Sequence, residues 1–430
     1  MTDPQTAEVE EGATLIGRRE FVRSVAWLAV GAASTPLLAA CDFLGTGPTA
    51  TPVIAPSTPT AMHTQILPAP ATATATVNVP PSATPPAAAT ATIPATATQK
   101  PQAPEATPSP GNSPTPHAAA LPTVEGVVPG PHGVALLAST ERATAVPAVL
   151  ALLGFAPDWL RGKKVALKAN FNSADPPPGS THLDTLRALL ESLQDWGATK
   201  ITLLERSGMG NTREVLEQRG VMDLAAKLGV EVVVLDDLPA RDWVEQEGAH
   251  WERGFLFPRV VQEADAVVQT CCLKTHRFGG HFTMSLKNSV GLVAKYDPTD
   301  GYNYMGELHG SANQRLMIAE INAAYKPALI LLEGVLAFVS GGPDQGKIAT
   351  AGVVLAGRDR VAIDAVGVAM LRSLGTTPEV SRGAIFDQPQ IARAVALGLG
   401  APDPAAISLH PAADEASQAL AGKLQQMLTS

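Results

Sequence analysis

Short apolar runs alternate with amphipathic stretches along residues 126–430. The runs are about five residues long and predict strands, whereas the stretches repeat apolar residues every three or four positions and predict helices. The expected strands cover 134–138, 164–168, 201–205, 231–235, 266–270, 328–333 and 352–356. The expected helices cover 143–153, 183–196, 212–218, 222–228, 319–325, 361–374 and 390–397. This alternation is typical of an α/β fold, a mainly parallel sheet with flanking helices, in a single large domain or two packed lobes.

The first 125 residues follow a different pattern. Residues 46–122 hold 18 of the 37 prolines and only two charged residues, Lys100 and Glu105, among Ala, Thr and Ser. Such a composition cannot bury enough apolar surface to offset the entropy lost when a chain becomes ordered. The sequence therefore predicts a disordered linker within residues 41–125 and a globular α/β domain over residues 126–430.

An export signal is expected before the linker. Arg18 and Arg19 precede an apolar run over 25–40, as in a twin-arginine signal, and the run ends in a lipobox-like Leu-Ala-Ala-Cys with Cys41. We expect a signal peptide over 1–40, lipidation of Cys41, and a protein held by its lipid on the extracytoplasmic face of the bacterial cell membrane. A transmembrane anchor is the alternative, although the run is short for a spanning helix.

Charge argues against one class of partner. The chain has a formal net charge of −9, and residues 126–430 carry 27 Lys and Arg against 32 Asp and Glu. A nucleic-acid-binding domain needs an extended basic face. We therefore expect no nucleic acid as a partner, while a local basic pocket remains compatible with this balance.

The chain has three cysteines, Cys41, Cys271 and Cys272. No CxxC pair or four-cysteine cluster is present, so an iron–sulfur cluster held by this chain alone is not expected. The adjacent pair at 271–272 reads best as two core residues at the end of an apolar strand.

Polar side chains directly follow several predicted strands. Lys168 and Asn170 end one apolar run, Glu205 ends the next, and Glu333 ends a later one. Ligands of open α/β sheets bind at the carboxyl ends of the strands. We therefore expect these side chains to lie at one rim of the sheet.

Residues 271–291 hold the densest group of basic side chains. Lys274 and His276 come first, a glycine-rich turn with Gly280 follows, and Lys287 and Asn288 close the segment. Lysines attract carboxylates and phosphates, and histidine transfers protons near neutral pH. Thr283 is a candidate cap for a short helix over 284–287, whose first amides would also favour an anion.

Two further segments offer candidate site residues. The loop over 341–346 is rich in turn residues and either forms a tight turn or covers a ligand, which makes Gly342 a candidate contact. Asp359 is expected to cap the following helix, and Asp364, one turn further on, would face either the site or a lysine.

A divalent metal is an alternative occupant of the site. His276 and His281, together with Glu205, Glu333 or Asp364, would supply ligands of the right type. No HExxH pattern is present, and the sequence identifies neither the metal nor any other cofactor.

Segments throughout residues 164–400 resemble the bacterial and archaeal family called domain of unknown function 362. The matching segments are LKANFN (167–172), WGATKITLLERSG (196–208), NT (211–212), ADAVVQTCCLKTH (264–276), FTMSLKNSVGLV (282–293), LLEGVLAFVSGGPDQG (331–346), DRVAIDAVG (359–367) and GLG (398–400). The family typically has Lys-Pro-Asn where this chain has Lys168-Ala169-Asn170, and often Asp at the position of Glu333. It often carries a ferredoxin-like segment, which this chain lacks. The resemblance implies the fold and the site region, and it names no reaction.

The sequence thus predicts a tethered protein that binds, and in one interpretation transforms, a small anionic ligand. The expected catalytic residues are His276, Lys274 and Glu205. The expected ligand-binding residues are Lys168, Asn170, Lys287, Asn288, Glu333, Gly342 and Asp364. A non-catalytic lipoprotein that carries a solute or cofactor to a membrane partner is the alternative, and a structural envelope protein is a third reading. No GxSxG motif supports a covalent hydrolase.

Overall fold

The structure, a computed structural model, describes residues 129–429. The predicted signal peptide, the lipidation site Cys41 and the predicted linker lie outside these residues. Within residues 129–429, no helix combines the length and the apolar character that crossing a membrane requires.

Nine of the eleven strands in this part of the chain form one central sheet, in the order β11-β1-β10-β9-β7-β2-β3-β4 with β8 on the end of β7. The remaining two, β5 and β6, form a separate antiparallel pair. The strands are β1 Gly133–Ala138, β2 Lys164–Lys168, β3 Lys200–Glu205, β4 Glu231–Val234, β5 Trp243–Gln246, β6 Phe255–Pro258, β7 Ala266–His276, β8 His281–Thr283, β9 Leu329–Gly341, β10 Gly346–Gly357 and β11 Ser408–Pro411.

The sheet is mixed and mostly parallel. Strands β9, β7, β2, β3 and β4 are parallel to one another, and β11 is parallel to β1. Strand β10 is antiparallel to both β1 and β9, and β8 folds back against β7. The predicted fold class, a mainly parallel sheet with flanking helices, is confirmed.

Helices cover both faces of this sheet, which gives a three-layer arrangement. On one face the core involves α1, α2, α3 and α4, and on the other it involves α9, α11 and α12. The helices are α1 Arg142–Ala151, α2 Leu183–Asp195, α3 Thr212–Gln218, α4 Val221–Leu228, α5 Arg259–Gln262, α6 Ser285–Asn288, α7 Tyr304–Gly310, α8 Gln314–Ile321, α9 Arg360–Ser373, α10 Pro378–Ser381, α11 Pro389–Ala396 and α12 Glu415–Leu428.

Strand β7 shows why the sheet has two buried faces. Its successive side chains point to opposite sides, so Val268 packs among the helices of one face while Cys271 and Leu273 pack on the other. All eleven of its residues are buried. A strand covered on both faces carries a continuous apolar run, which is the pattern that predicted it.

Several predicted elements differ from the structure at their ends. The strand predicted over 266–270 continues to His276, because β9 and β8 supply backbone partners beyond Thr270. The helix predicted over 319–325 lies earlier, at 314–321, and ends in a single 3₁₀ turn at Asn322–Ala324. The short strands β5, β6, β8 and β11 and the last helix α12 were not predicted.

Asp359 caps helix α9, as the sequence predicts. Its carboxylate accepts hydrogen bonds from the amides of Val361 and Ala362 and also from that of Ala401. Gly400 makes the last bond possible, because a β-carbon there would lie 2.0 Å from Oδ1 of Asp359. This gives a physical reason for glycine at the end of the GLG segment.

Candidate functional site

The carboxyl ends of three neighbouring strands form the floor of the site. Strand β2 lies between β3 and β7 and is parallel to both. Their last residues therefore emerge at one rim of the sheet, and this places Lys168, Glu205 and Lys274 close together. This shared rim explains why polar residues follow several apolar runs in the sequence.

The chain returns over this rim through β8 and α6. Strand β8 pairs with the end of β7, so that Thr283 lies opposite Lys274 and His281 opposite His276. The first amides of α6, those of Ser285 and Leu286, donate to the carboxylate of Asp364 at 2.8 and 3.2 Å. Asp364 therefore caps this helix from α9, and the predicted Thr283 cap is wrong, since Thr283 makes no capping bond.

Helix α6 brings Lys287 and Asn288 to the cavity that the strand ends leave open. The cavity has a volume of about 350 Å³, a size typical of small-ligand sites. Five of its lining side chains are Lys or Arg, whereas Glu205 is the single acidic one. The local charge is thus opposite in sign to the net charge of the chain.

A buried ion pair joins β2 to β3 at the floor. Lys168 Nζ donates to Glu205 Oε1 at 2.6 Å, to the carbonyl of Ala169 at 2.6 Å and to Asn288 Oδ1 at 3.4 Å. Burial lowers the pKa of Lys168 and raises the pKa of Glu205, while their mutual attraction acts against both shifts. Glu205 also accepts from the amides of Arg206 and Phe171. Both side chains are therefore fully engaged.

Lys274 is held in the same way. Its ammonium donates to Asn170 Oδ1 at 2.9 Å, to the carbonyl of Gly179 at 2.5 Å and, over a longer 3.4 Å, to that of Pro343. Burial, the largest cause, lowers the pKa of Lys274. The three N–H donors of Lys274 thus link two loops to the end of β7, and no donor remains for a ligand.

Lys287 differs from both of these lysines. Its side chain is buried, yet it makes no hydrogen bond or ion pair with any residue in the described part of the chain. Desolvation by burial, followed by repulsion from Lys274 and Arg206, lowers its pKa to about 7. Near neutral pH this amine is therefore present in both its charged and its neutral form.

His276 lies beside Lys287. A β-carbon at Gly280 would lie 2.8 Å from Lys287 Cε and 3.1 Å from His276 Nδ1, so the two side chains meet at this glycine. His276 Nδ1 is buried and has no hydrogen-bond partner among residues 129–429. Burial, together with the charges of Lys287 and Lys274, lowers the pKa of His276 well below its ordinary value. The imidazole is therefore neutral at pH 7.

Two more lining residues have buried polar atoms without a partner in the described part of the chain. They are Arg206 Nε and Thr283 Oγ1. The Arg206 guanidinium does donate to the carbonyl of Val290 at 2.5 Å, and burial lowers its pKa to about 10. Such unsatisfied groups are costly when buried, so they mark positions where a polar ligand would be stabilised.

The structure brings seven of the predicted site residues together at the cavity: Lys168, Asn170, Glu205, Lys274, His276, Lys287 and Asn288. Three others lie outside it. Glu333 is buried against Arg142, whose Nε donates to it at 3.1 Å, and Asp364 caps α6. Gly342 packs on β7, where a β-carbon would lie 2.1 Å from the carbonyl of Thr275, while its neighbour Pro343 lines the cavity.

The alternative metal site is not assembled in the described part of the chain. No group of three or more His, Cys, Asp or Glu side chains within residues 129–429 is placed to hold a metal ion. His281 is not among the residues that line the cavity, and Glu333 and Asp364 have the partners given above. The predicted ligand set is therefore dispersed.

The sequence alone did not point to several residues of the cavity. Arg206 could have been found, because it directly follows Glu205 at the same strand end. His309 on α7 and the rim residues Met209, Phe278 and Tyr296 carried no such signal, because they come from loops and a short helix that local patterns do not predict. These three rim residues are among the few large apolar side chains exposed in the described part of the chain.

The fold and the site together define an α/β protein with a cationic cavity at the carboxyl rim of its parallel strands. Residues 165–369 match the family described as Domain of unknown function (DUF362). Every residue that lines the cavity lies within the matched segment.

Two other comparisons add little. No protein with a curated description matches the sequence. One solved structure with partial similarity is the lactate racemase apoprotein from Thermoanaerobacterium thermosaccharolyticum, at 19% identity and a TM-score of 0.36. The match covers 52% of this chain and 53% of that chain, about half of each.

The Glu205→Gln variant tests the ion pair at the floor. We expect it to lower the free energy of unfolding by about 3 kcal/mol, because it leaves the buried Lys168 charge without a counter-charge. Glu231→Gln is the matched control, since Glu231 pairs with Lys200 at the surface, and its cost should stay below about 1 kcal/mol. Urea unfolding measures both variants, and equal costs would contradict this account.

The Lys287→Met variant tests the unpaired amine. The folded-state pKa of about 7 lies below the ordinary 10.5, so the folded state carries the full cost of a buried charge below pH 7. This cost shrinks as the pH rises and the amine loses its proton. We therefore expect the variant to be more stable than the wild type, by about 2 kcal/mol more at pH 6 than at pH 9.

Lys347→Met, at an exposed lysine, should show no such dependence on pH. Thermal or urea unfolding at the two pH values provides the measurement. A Lys287→Met variant that loses stability equally at pH 6 and pH 9 would contradict an uncompensated charge at this position.

Proposed function

We propose that the cavity binds a small anionic ligand, held by Lys287 and Arg206 and by the unpaired polar atoms of His276 and Thr283. One observation carries this proposal: Arg206 Nε, His276 Nδ1 and Thr283 Oγ1, buried without partners among residues 129–429, converge with the Lys287 amine on one cavity whose single carboxylate is already neutralised. Cations that share a desolvated site repel one another, and an anion removes that repulsion.

The chemistry of the free donors favours a carboxylate or a phosphate. Lys287 contributes an ammonium in its protonated form, Arg206 a guanidinium and Thr283 a hydroxyl. Carboxylates and phosphates accept several such bonds at once, and charge-assisted bonds are about twice as strong as neutral ones. A cationic ligand would meet the same charges as repulsion.

Size and rim composition limit the ligand further. A cavity of about 350 Å³ accommodates a metabolite of a few carbon atoms to a small ring compound. Phe278 is 50% exposed and Tyr296 58% exposed, and both lie at the lining of the same cavity. An apolar portion of the ligand would pack on these side chains while its charged group lies among the cations.

Isothermal titration of the purified chain with oxalate and with inorganic phosphate tests the proposal. We expect saturable binding of at least one of them, with an affinity that falls as the pH rises through about 7, because Lys287 then loses its proton. Lys287→Met should weaken binding at least tenfold, or by about 1.4 kcal/mol. Lys347→Met should leave the affinity unchanged. Absence of binding, or equal affinities of the two variants, would contradict the proposal.

We further propose that this domain works while tethered outside the cell membrane. Support comes from the sequence order alone: paired arginines at 18–19, an apolar run, Cys41 in a lipobox-like setting, and then the proline-rich segment. A tether of that composition would let the cavity reach ligands beyond the membrane surface.

Metabolic labelling with an alkyne-tagged fatty acid in a bacterial host tests the tether. We expect the wild type to carry the label and to fractionate with membranes, and Cys41→Ser to lose both properties. Cys271→Ser, a change at a buried cysteine of the domain, should keep the label. A label that persists in Cys41→Ser would overturn the proposed attachment.

A further inference from the structure

We propose that the amine of Lys287 is a nucleophile that forms an imine with the carbonyl group of a small keto or aldehyde acid bound in the cavity. This inference rests on the proposed anion site, in which the Arg206 guanidinium would hold the acidic group of the same ligand while the neutral form of Lys287 reacts. It names the substrate class: a carboxylate or phosphate compound with an adjacent ketone or aldehyde.

Geometry distinguishes Lys287 from the other amines of the cavity. The ammonium groups of Lys168 and Lys274 each have three protein acceptors, and Lys295 is paired with Asp236 at 3.4 Å. Lys287 has no acceptor among residues 129–429, although it is buried and lines the same space. It is therefore the lysine whose nitrogen is available to a bound carbonyl carbon.

The environment of Lys287 also favours the reactive form of the amine. Only the neutral amine attacks a carbonyl, and desolvation next to other cations is a recognised way to populate it. Burial and the charges of Lys274 and Arg206 lower the pKa of Lys287 to about 7. The neutral amine is therefore populated at neutral pH, unlike that of an ordinary lysine.

The reaction balances without an external oxidant or reductant. The Lys287 nitrogen forms a bond to the carbonyl carbon as the C=O π bond breaks, and one proton moves from nitrogen to oxygen to give a carbinolamine. The hydroxyl then gains a proton and leaves as water, and the nitrogen's electron pair forms the C=N bond. The nitrogen gives up its remaining proton, which replaces the one that the hydroxyl took up. The products are one imine and one water molecule.

His276 is placed to move the proton in these steps. Its unpartnered Nδ1 and the Lys287 side chain meet at Gly280, with the distances of 3.1 and 2.8 Å from the β-carbon position given above. A neutral imidazole at this position accepts a proton from the attacking nitrogen and returns it to the leaving oxygen. Cysteine is not an alternative nucleophile here, since Cys271 and Cys272 are buried away from the cavity and burial raises the pKa of Cys272 to about 11.

Reductive trapping tests the inference. The purified full chain is incubated at pH 7 with pyruvate or glyoxylate and sodium cyanoborohydride, which adds hydride to the C=N bond and fixes the adduct. Peptide mass mapping should locate a gain equal to the acid minus water plus two hydrogens on Lys287. We expect this site to react at least tenfold faster than exposed Lys347, and excess oxalate should slow it. Lys287→Arg, which keeps the charge, should abolish the rapid phase.

A wild-type measurement keeps the test independent of whether Lys287→Arg folds. The trapping rate at Lys287 should rise through a midpoint near pH 7 relative to the rate at Lys347 in the same sample. Adducts spread over exposed lysines at rates comparable to that at Lys287 would overturn the inference. So would the absence of a Lys287 adduct with both acids.

The two proposals fail in different ways. If oxalate binds and depends on Lys287, yet neither acid gives an adduct, the anion site stands and the nucleophile does not. If oxalate and phosphate do not bind and neither acid modifies Lys287, the proposed function fails together with the inference built on it.

Discussion

Several positive charges lie together at one desolvated rim of this sheet, where Glu205 is the single carboxylate that lines the cavity. The rest of the site depends on how these positive charges are neutralised. Glu205 neutralises Lys168 at the floor. Among residues 129–429, Lys274 has no acidic partner within hydrogen-bond distance and donates instead to an amide oxygen and two carbonyl oxygens. Lys287 receives neither form of compensation from the described chain. A desolvated charge without compensation is expensive, and proteins retain such groups mainly where function requires them.

Two glycines in the backbone around the site leave room for this arrangement. Gly291 passes so close to the floor that a β-carbon there would lie 2.6 Å from Lys168 Cε, and a β-carbon at Gly280 would lie 2.8 Å from Lys287 Cε and 3.1 Å from His276 Nδ1. Side chains at these positions would push the two lysines out of place. The site therefore requires small residues at these two positions of the segment 271–291.

The sequence predicted those parts of the site that follow from local patterns. Lys168, Glu205 and Lys274 each end or follow an apolar run, and parallel neighbouring strands place such ends together. Glu333 follows a similar run, but β9 continues past it to Gly341, so it is not at a strand end and pairs with Arg142 instead. The pattern of apolar residues does not show at which residue the pairing between two strands ends.

Long-range contacts explain the rest. Asp364 caps α6, because its carboxylate accepts a hydrogen bond from the Ser285 amide, 79 positions away in the sequence. No local motif encodes such a bond. The full engagement of Lys274 likewise depends on Gly179 and Pro343, which belong to distant loops. The sequence therefore identified the right group of bases without distinguishing the two lysines that hold the fold from Lys287, which is left free.

The protonation of Lys287 is the property on which both the anion site and the nucleophile rest, and it is directly measurable. Carbon-13 labelling of the lysine Cε positions, with Lys287→Arg to assign the signal, allows an NMR titration of the ligand-free protein from pH 5 to about 11. We predict a midpoint near 7 for Lys287 and an upward shift when oxalate is added. A midpoint near the ordinary 10.5, unchanged by oxalate, would contradict this prediction.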